Sequence, residues 1–288
     1  MAEDISTLGH RVRLAVIGRY LGQLGLVMAV LMAVPLAGAV LFGNAGHAVQ
    51  LLEVTAVLLL GGLALSRLPA TESLQINEAL VITVLAFLLA GLSVAWALAA
   101  EPRIAPVDAL FEGISAVTTT GLSTFDAVEE RTPTFLLTRA WAQWFGGLGI
   151  VVLTVALVSG HHVAARRLTE PAGGNGLETT ARLHARRMLS IYVALTTLAL
   201  AVVLPFAGDT LAGAAHVLTA ISTGGFSTYN DSLAGFAKPG LAFVLMLFAF
   251  VGATPLPLYY RLYRQGPRAL ADPELLTLAL AVAATVAL

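Results

Sequence analysis

Two short polar phrases interrupt an otherwise oily chain. Ser115 to Asp126 reads SAVTTTGLSTFD, and Thr219 to Asn230 reads TAISTGGFSTYN. They superpose without a gap at an offset of 104 residues, with Gly121 over Gly225 and Ser123–Thr124 over Ser227–Thr228. The chain offers no nucleophile–base pair, no metal-ligand cluster and no nucleic-acid signature, so the chemistry of these phrases rests on hydroxyls and main-chain carbonyls. Thr118, Thr119 and Thr120 are β-branched and continue a helix poorly. Gly121 and Gly225 accept backbone angles that other residues resist. The combination predicts a short extended segment whose carbonyls face one way, and a ring of such carbonyls can replace the hydration shell of a cation. The competing reading is that Ser and Thr in membrane helices bond back to the preceding turn. Two gap-free copies favour the ligand reading.

The elements that carry these phrases follow from composition. Of 288 residues, 58% are hydrophobic and 11% charged, against roughly 25% charged in a soluble domain. No charged residue occurs in Leu21–Leu52, Ala79–Ala100, Ala140–Ala165, Met188–Gly208 or Pro239–Tyr260. Stretches of about 20 apolar residues match the hydrocarbon core of a bilayer. The chain therefore reads as an all-α polytopic membrane protein. The apolar helices are expected at Leu14–Leu41, Ala48–Leu65, Asn77–Ala99, Phe135–Ser159, Met188–Phe206, Leu241–Leu262 and from Pro273, about seven spans. The absence of cysteine excludes disulfides and thiolate metal sites.

Each phrase follows a helix too short to span. Asp108 to Val117 has apolar residues at helical spacing, and ten residues rise only about 15 Å, half the bilayer core. Asp108 suits its N-terminus. The second copy starts at Asp209–Thr210 and ends at Ser222. Both are expected as re-entrant half-helices that enter from outside and stop midway. Irregular backbone at that depth must be buried in protein or line a watery path, and the half-helix C-termini turn negative dipole ends towards it. The unit is thus helix, half-helix, glycine phrase, helix, written twice. The expected organisation is 1–70 for two leading helices, 71–165 for the first unit, 166–187 for a cytoplasmic linker, 188–268 for the second unit, and 269–288 for the start of a third.

Placing the N-terminus in the cytoplasm puts twelve arginines inside and only Arg103, Arg131, Arg139 and Lys238 outside, in keeping with the positive-inside bias. The outer face collects Glu101, Asp108, Glu112, Asp126, Glu129, Glu130, Asp209 and Asp231. These acids either concentrate cations at a vestibule or are ordinary loop acids. Trp141 and Trp144, like Tyr259, Tyr260 and Tyr263, read as aromatic-belt residues. Gly18, Gly22 and Gly25 form a small-residue face that could make a subunit contact, and Gly146, Gly147 and Gly149 suit close helix packing. EPAGGNGLET reads as linker rather than phosphate loop, for want of a preceding strand and a Lys-Ser or Lys-Thr. His161 and His162 read as interfacial. Glu53 is either a functional acid or one that snorkels to the surface. His216, matching Glu112 of the first copy, is expected with it to bond neighbouring scaffold.

At AVTTTGLST with RAWAQWFGGLGIVVL, and ISTGGFSTYN with the later YYRLYR, the sequence resembles the Trk/Ktr/HKT superfamily of potassium transporters, most closely the bacterial TrkH-type subunit. The resemblance covers essentially the whole chain. It implies four such units around one pore, with potassium, the transported ion, held by carbonyls of Thr119, Thr120 and Gly121 in the first copy and Thr223, Gly224 and Gly225 in the second. Val117, Thr118, Ile221 and Ser222 would line the cavity below. It also implies a homodimer, a cytoplasmic nucleotide-binding regulatory partner of the TrkA kind, a place in the bacterial inner membrane, and a transporter rather than an enzyme. No organic cofactor is expected. Two departures stand out. The sequence stops at Leu288, within the first helix of a third unit, which is expected to make it a fragment or a chain that pairs with another. The alternative function is accordingly a non-conducting half-transporter or scaffold subunit. Second, the family's Gly-x-Asn-type break is replaced by VGATPLPL, where Pro255 and Pro257 should kink the helix. A coupled broken-helix transporter is disfavoured because the two units run in the same topological sense.

Overall fold

The computed structural model describes residues 11–69, 74–149, 176–270 and 273–286, and every regular element among them is helical. In order they are α1 (Leu14–Leu31), α2 (Ala33–Leu41), α3 (Ala45–Ser66), α4 (Ile76–Leu98) and α5 (Pro106–Val117). A helix α6 follows over 133–149. Then come α7 (Gly176–Val203), α8 (Thr210–Ile221), α9 (Pro239–Ala253), α10 (Leu256–Gln265) and α11 (Pro273–Val286). Among the described residues four helical stretches are long and apolar enough to cross a membrane, and a fifth is if the bent pair α9 and α10 counts as one span. The protein is a multi-pass membrane protein. Leucines such as Leu41, Leu60, Leu88 and Leu198 lie exposed on these helices, as they must where lipid, not water, is the solvent. The expected span 135–159 is described through 149, and the rest of it lies outside the described residues, with His161, His162 and the linker's first half.

The chain forms two compact units that cross the sequence repeat. One comprises Met1–Gly147 with Gly224–Ala237, the other Leu148–Thr223 with Lys238–Leu288. In the first unit α1 crosses α3 at glycines. A Cβ on Gly22 would come within 2.8 Å of the Leu65 carbonyl carbon, and one on Gly62 within 2.9 Å of the Gly22 oxygen. The small-residue face of α1 is therefore a packing surface within the chain, and that corrects its reading as a subunit contact. Arg13, just before α1, donates to both carboxylate oxygens of buried Glu78, at 2.6 and 2.7 Å. Glu78 also completes a capping box with Gln75 at the start of α4.

Pro35 explains the break between α1 and α2. It has no N–H to give to the carbonyl four residues back, that of Leu31. The Trp141 indole of α6 donates to that carbonyl instead, at 2.8 Å. Trp141 also stacks on Trp144 at 4.7 Å, and Trp144 is buried. Both belong to the packing of the unit, which replaces the aromatic-belt reading.

In the second unit α7 starts at Gly176, inside the segment expected as linker. No Gly or Pro occurs from Leu177 to Val203, so nothing stops the helix from running past the apolar part. The expected helix 241–262 is broken. α9 and the segment from Leu256 meet at 85°, with Thr254 extended and Pro255 at the turn. Pro255 leaves the Val251 carbonyl without its helical donor, and the Tyr259 hydroxyl donates to it at 2.5 Å. Tyr259 is thus half-buried and bonded within the bend.

Candidate pore-loop site

The half-helices have twelve residues each, α5 over Pro106–Val117 and α8 over Thr210–Ile221. Twelve residues rise about 18 Å, well short of a bilayer core. Pro106 opens α5 at a position where its missing N–H is no loss. Asp209 caps α8, accepting from the Leu211 and Ala212 amides at 2.8 and 3.3 Å. Each half-helix ends against a glycine of the helix that closes its copy. A Cβ on Gly146 would strike the Val117 carbonyl, and one on Gly252 would lie 2.5 Å from the Ile221 oxygen. Only glycine lets a helix pass so near those carbonyl ends.

Past the half-helices the two copies repeat their backbone angles. Thr118 and Ser222 leave the helix at φ −83° and −81°. Thr119 and Thr223 both take φ 54°, and Gly121 and Gly225 take 76° and 80°. Thr120 and Gly224 between them stay outside the left-handed region. A β-branched residue in that region is an outlier and costs about 1–3 kcal/mol. Two such outliers at matching positions are not accidental turns. The expected extended segment is corrected here. In an extended strand successive carbonyls face opposite sides. Left-handed residues at Thr119 and Gly121, and at Thr223 and Gly225, break that alternation in both phrases.

The first phrase is held by charge. Glu112 of α5, fully buried, accepts from the Ser123 hydroxyl at 2.7 Å and the Thr124 amide at 2.9 Å. Its other oxygen takes the Arg139 Nε of α6 at 2.7 Å. Ser115 adds a bond to the Leu122 carbonyl at 2.6 Å. The return of the chain after Gly121 is thereby tied to the half-helix that precedes it. Arg139 lies over the Phe226 ring at 3.8 Å. Glu112 and Arg139, expected among the charges of the outer face, are enclosed and paired with each other. Glu101 leaves that set too. It is buried and accepts from the Thr132 amide and hydroxyl. Asp126, Glu129, Glu130, Asp209 and Asp231 stay exposed.

From Gly224 on, the second phrase lies in the same compact unit as the first. A Cβ on Gly121 would strike the Gly224 carbonyl oxygen, so the phrases touch main chain to main chain. The Gln143 amide of α6 donates to that oxygen at 2.7 Å and accepts from the Phe226 amide at 3.2 Å. Beyond the phrases, Asn230 accepts from the Val128 amide at 2.8 Å, and Glu129 accepts from the Asn230 amide at 2.9 Å. Sequence reading placed the phrases but gave Gln143 no role and counted Arg139 only as a charge on the outer side. The available signal was two polar side chains four residues apart at one end of an apolar span, which share a helix face.

Of the predicted residues, Thr120, Thr223 and Gly225 are exposed, Thr118, Thr119 and Gly121 half-buried, and Gly224 buried. Val117, Ile221 and Ser222 are buried in packing. Thr118 bonds the Ile114 carbonyl and the Thr120 hydroxyl, both at 2.7 Å. His216, opposite Glu112 in the alignment, bonds the Ala212 carbonyl at 2.7 Å through Nδ1. Glu53 is exposed on α3. Among the described residues no group of three or more His, Cys, Asp or Glu side chains is placed to hold a metal ion.

Two half-length helices, each followed by the same left-handed glycine phrase, define a membrane protein of the re-entrant pore-loop class. The family model described as TrkH, cation transport protein, matches residues 47–267, and the chain belongs to that family. It is 30% identical over 267 residues to the Trk system potassium uptake protein TrkI of Halomonas elongata, covering 90% of this chain and 54% of that one. It is 32% identical over 168 residues to the Trk system potassium uptake protein TrkH of Escherichia coli K12, covering 56% and 35%. The crystal structure of the potassium transporter TrkH from Vibrio parahaemolyticus superposes with a TM-score of 0.76 at 26% identity, over 92% of this chain and 56% of that one. The chain spans about half the length of these relatives or less.

Proposed function

We propose that this chain contributes to potassium uptake across the bacterial inner membrane. The ion passes a constriction built from main-chain carbonyls of Thr119, Thr120 and Gly121 and of Thr223, Gly224 and Gly225. Thr118 and Ser222, with Val117 and Ile221 behind them, bound the cavity beneath. The exposed outer acids Asp126, Glu129, Glu130, Asp209 and Asp231 raise the local cation concentration. The N-terminus faces the cytoplasm, and the chain works as a homodimer with a TrkA-like nucleotide-binding partner on that face.

One observation carries the reading: matching threonines and glycines hold the same left-handed angles in both phrases. Such strain persists where a site requires it. Names of the relatives supply the ion.

The test is rubidium and sodium uptake by wild-type and Gly225→Ser protein. A Cβ at Gly225 has open space around it, so the substitution acts through its φ of 80° rather than through a clash. Wild-type protein is expected to take up rubidium in preference to sodium, and Gly225→Ser to lose that preference. Unchanged discrimination would sink the filter assignment.

A further inference from the structure

The two phrases share their backbone, but one side-chain amide treats the second alone. Gln143 is fully buried. It donates to the Gly224 carbonyl and accepts from the Phe226 amide. This reads the C=O of one residue and the N–H of the residue two further on, as a neighbouring peptide would. Gly225, the residue between, is fixed at φ 80°. The Gly224 oxygen is closed off on a second side by the Cα of Gly121, where a Cβ would overlap it. A Cβ on Gly224 would run into the Gln143 amide, so the absence of a side chain there lets the amide sit against the main chain. Exposure divides the phrase the same way: Thr223 and Gly225 are open and Gly224 is buried. In the first phrase the matching Thr120 is exposed.

We propose that Gln143 is the positioning residue of the second phrase, and that the Gly224 carbonyl is its anchor rather than an ion ligand, which leaves Thr223 and Gly225 as the ion-facing pair. This rests on the potassium reading above and narrows it from three carbonyls to two. Gln143 touches no ion. It acts by holding one peptide plane turned away, so that the number of carbonyls offered by this phrase is set. Selectivity in such filters depends on the number and field of the coordinating carbonyls or on the size of their cage, and either changes if the Gly224 plane is released.

Two variants separate the bonds. Gln143→Met keeps the bulk and removes both. Gln143→Glu keeps an acceptor for the Phe226 amide, and is assayed at a pH high enough to ionise it, where the carboxylate has no proton for the Gly224 oxygen. Full-length protein in lipid vesicles is assayed for hydrogen exchange at the Phe226 amide, and for rubidium and sodium uptake normalised to protein inserted. In Gln143→Met, protection at Phe226 should fall roughly tenfold or more, as for a buried amide that has lost its partner. In Gln143→Glu it should be kept. Rubidium preference over sodium should drop in both, with a raised KM for rubidium. Wild-type protection at Phe226 in Gln143→Met would overturn the clamp outright. Unchanged ion preference in both variants would overturn the anchor assignment of Gly224. Wild-type protein that carries no rubidium would overturn the transport reading alone, since exchange at Phe226 judges the clamp without ion flux.

Discussion

The first and second glycine phrases repeat each other in sequence and in backbone angle, yet they are held by different chemistry. The first is braced by a buried ion pair, Glu112 with Arg139, whose carboxylate also grips Ser123 and Thr124. At the matching place in the second copy stands His216, bonded to its own helix at Ala212. The second phrase is gripped at Gly224 and Phe226 by Gln143, a side chain of the first copy. Arg139 and Gln143 lie one helical turn apart on α6, so one helix face serves both phrases. The corresponding helix α9 has no polar side chain from Gly240 to Ala253. Aligned on Gly146 and Gly252, it offers Leu245 and Ala249 where α6 offers Arg139 and Gln143. Repetition fixed the turn that a pore loop needs, while its support diverged.

The largest effect should come from breaking the ionic brace. Arg139 is 2% exposed and Glu112 is 0%. Removing one member of a buried pair strands the other charge and costs about 3–5 kcal/mol. Arg139→Met should lower the unfolding midpoint in detergent sharply or prevent folding, and so should Glu112→Gln, because an amide whose oxygen keeps Ser123 and Thr124 turns its NH2 towards the Arg139 Nε and leaves that cation unpaired. His216→Gln should shift the midpoint much less than Arg139→Met. Equal shifts from Arg139→Met and His216→Gln would mean the two copies are braced alike and would break the comparison.

Glycine substitutions sharpen it. Both glycines sit at positive φ, but Gly121 also abuts the Gly224 oxygen while Gly225 has open space. Gly225→Ala bears the left-handed strain, about 1–2 kcal/mol. Gly121→Ala bears that plus an overpacking term of about 1–3 kcal/mol. Denaturant or thermal unfolding of the pair should therefore rank Gly121→Ala as the more damaging. The reverse order would place the contact between the phrases elsewhere.

What the sequence made legible was local. Charge-free runs marked the spans, the ten residues from Asp108 to Val117, apolar at helical spacing, marked a half-helix, and Pro255 marked a break. Those signals need only neighbours along the chain. The support of the phrases was not legible, because Gln143 reaches Gly224 across 81 positions and Arg139 reaches Glu112 across 27. No periodicity encodes such a meeting. Arg139, counted only as a charge on the outer side, stands at the edge of an uncharged run, and charge counting cannot tell an edge from an interior. The helical start of α7 at Gly176 was hidden for the opposite reason. Its glycine-rich approach and charged first turns look like linker, yet a helix leaving the membrane has no need to stay apolar. Extended backbone at Thr118–Thr120 followed from β-branching, which disfavours helix but does not announce a left-handed residue at Thr119.

The smallest effects belong to the two prolines that interrupt helices, and they test whether the two interruptions are supported alike. Pro35 strips the Leu31 carbonyl of its helical donor and the Trp141 indole restores one from another helix. Pro255 does the same to Val251, and the Tyr259 hydroxyl restores one from just beyond the bend. Each repair is a single neutral hydrogen bond, but the Val251 carbonyl keeps the Thr254 amide at 3.2 Å when the Tyr259 hydroxyl is removed, so losing that hydroxyl costs only about 0.5–1.5 kcal/mol. Trp141→Phe also gives up part of the stacking on Trp144, so it should destabilise more than Tyr259→Phe, which removes only an oxygen. Thermal unfolding of both in the same lipid would rank them. Beyond that ranking, Tyr259→Phe loosens a bend rather than a helix–helix joint. Its mark should be faster hydrogen exchange confined to Val251–Tyr259, with α5 and α6 unchanged. Exchange that rose across α6 as well would show that the bend of the second copy and the brace of the first are one cooperative unit.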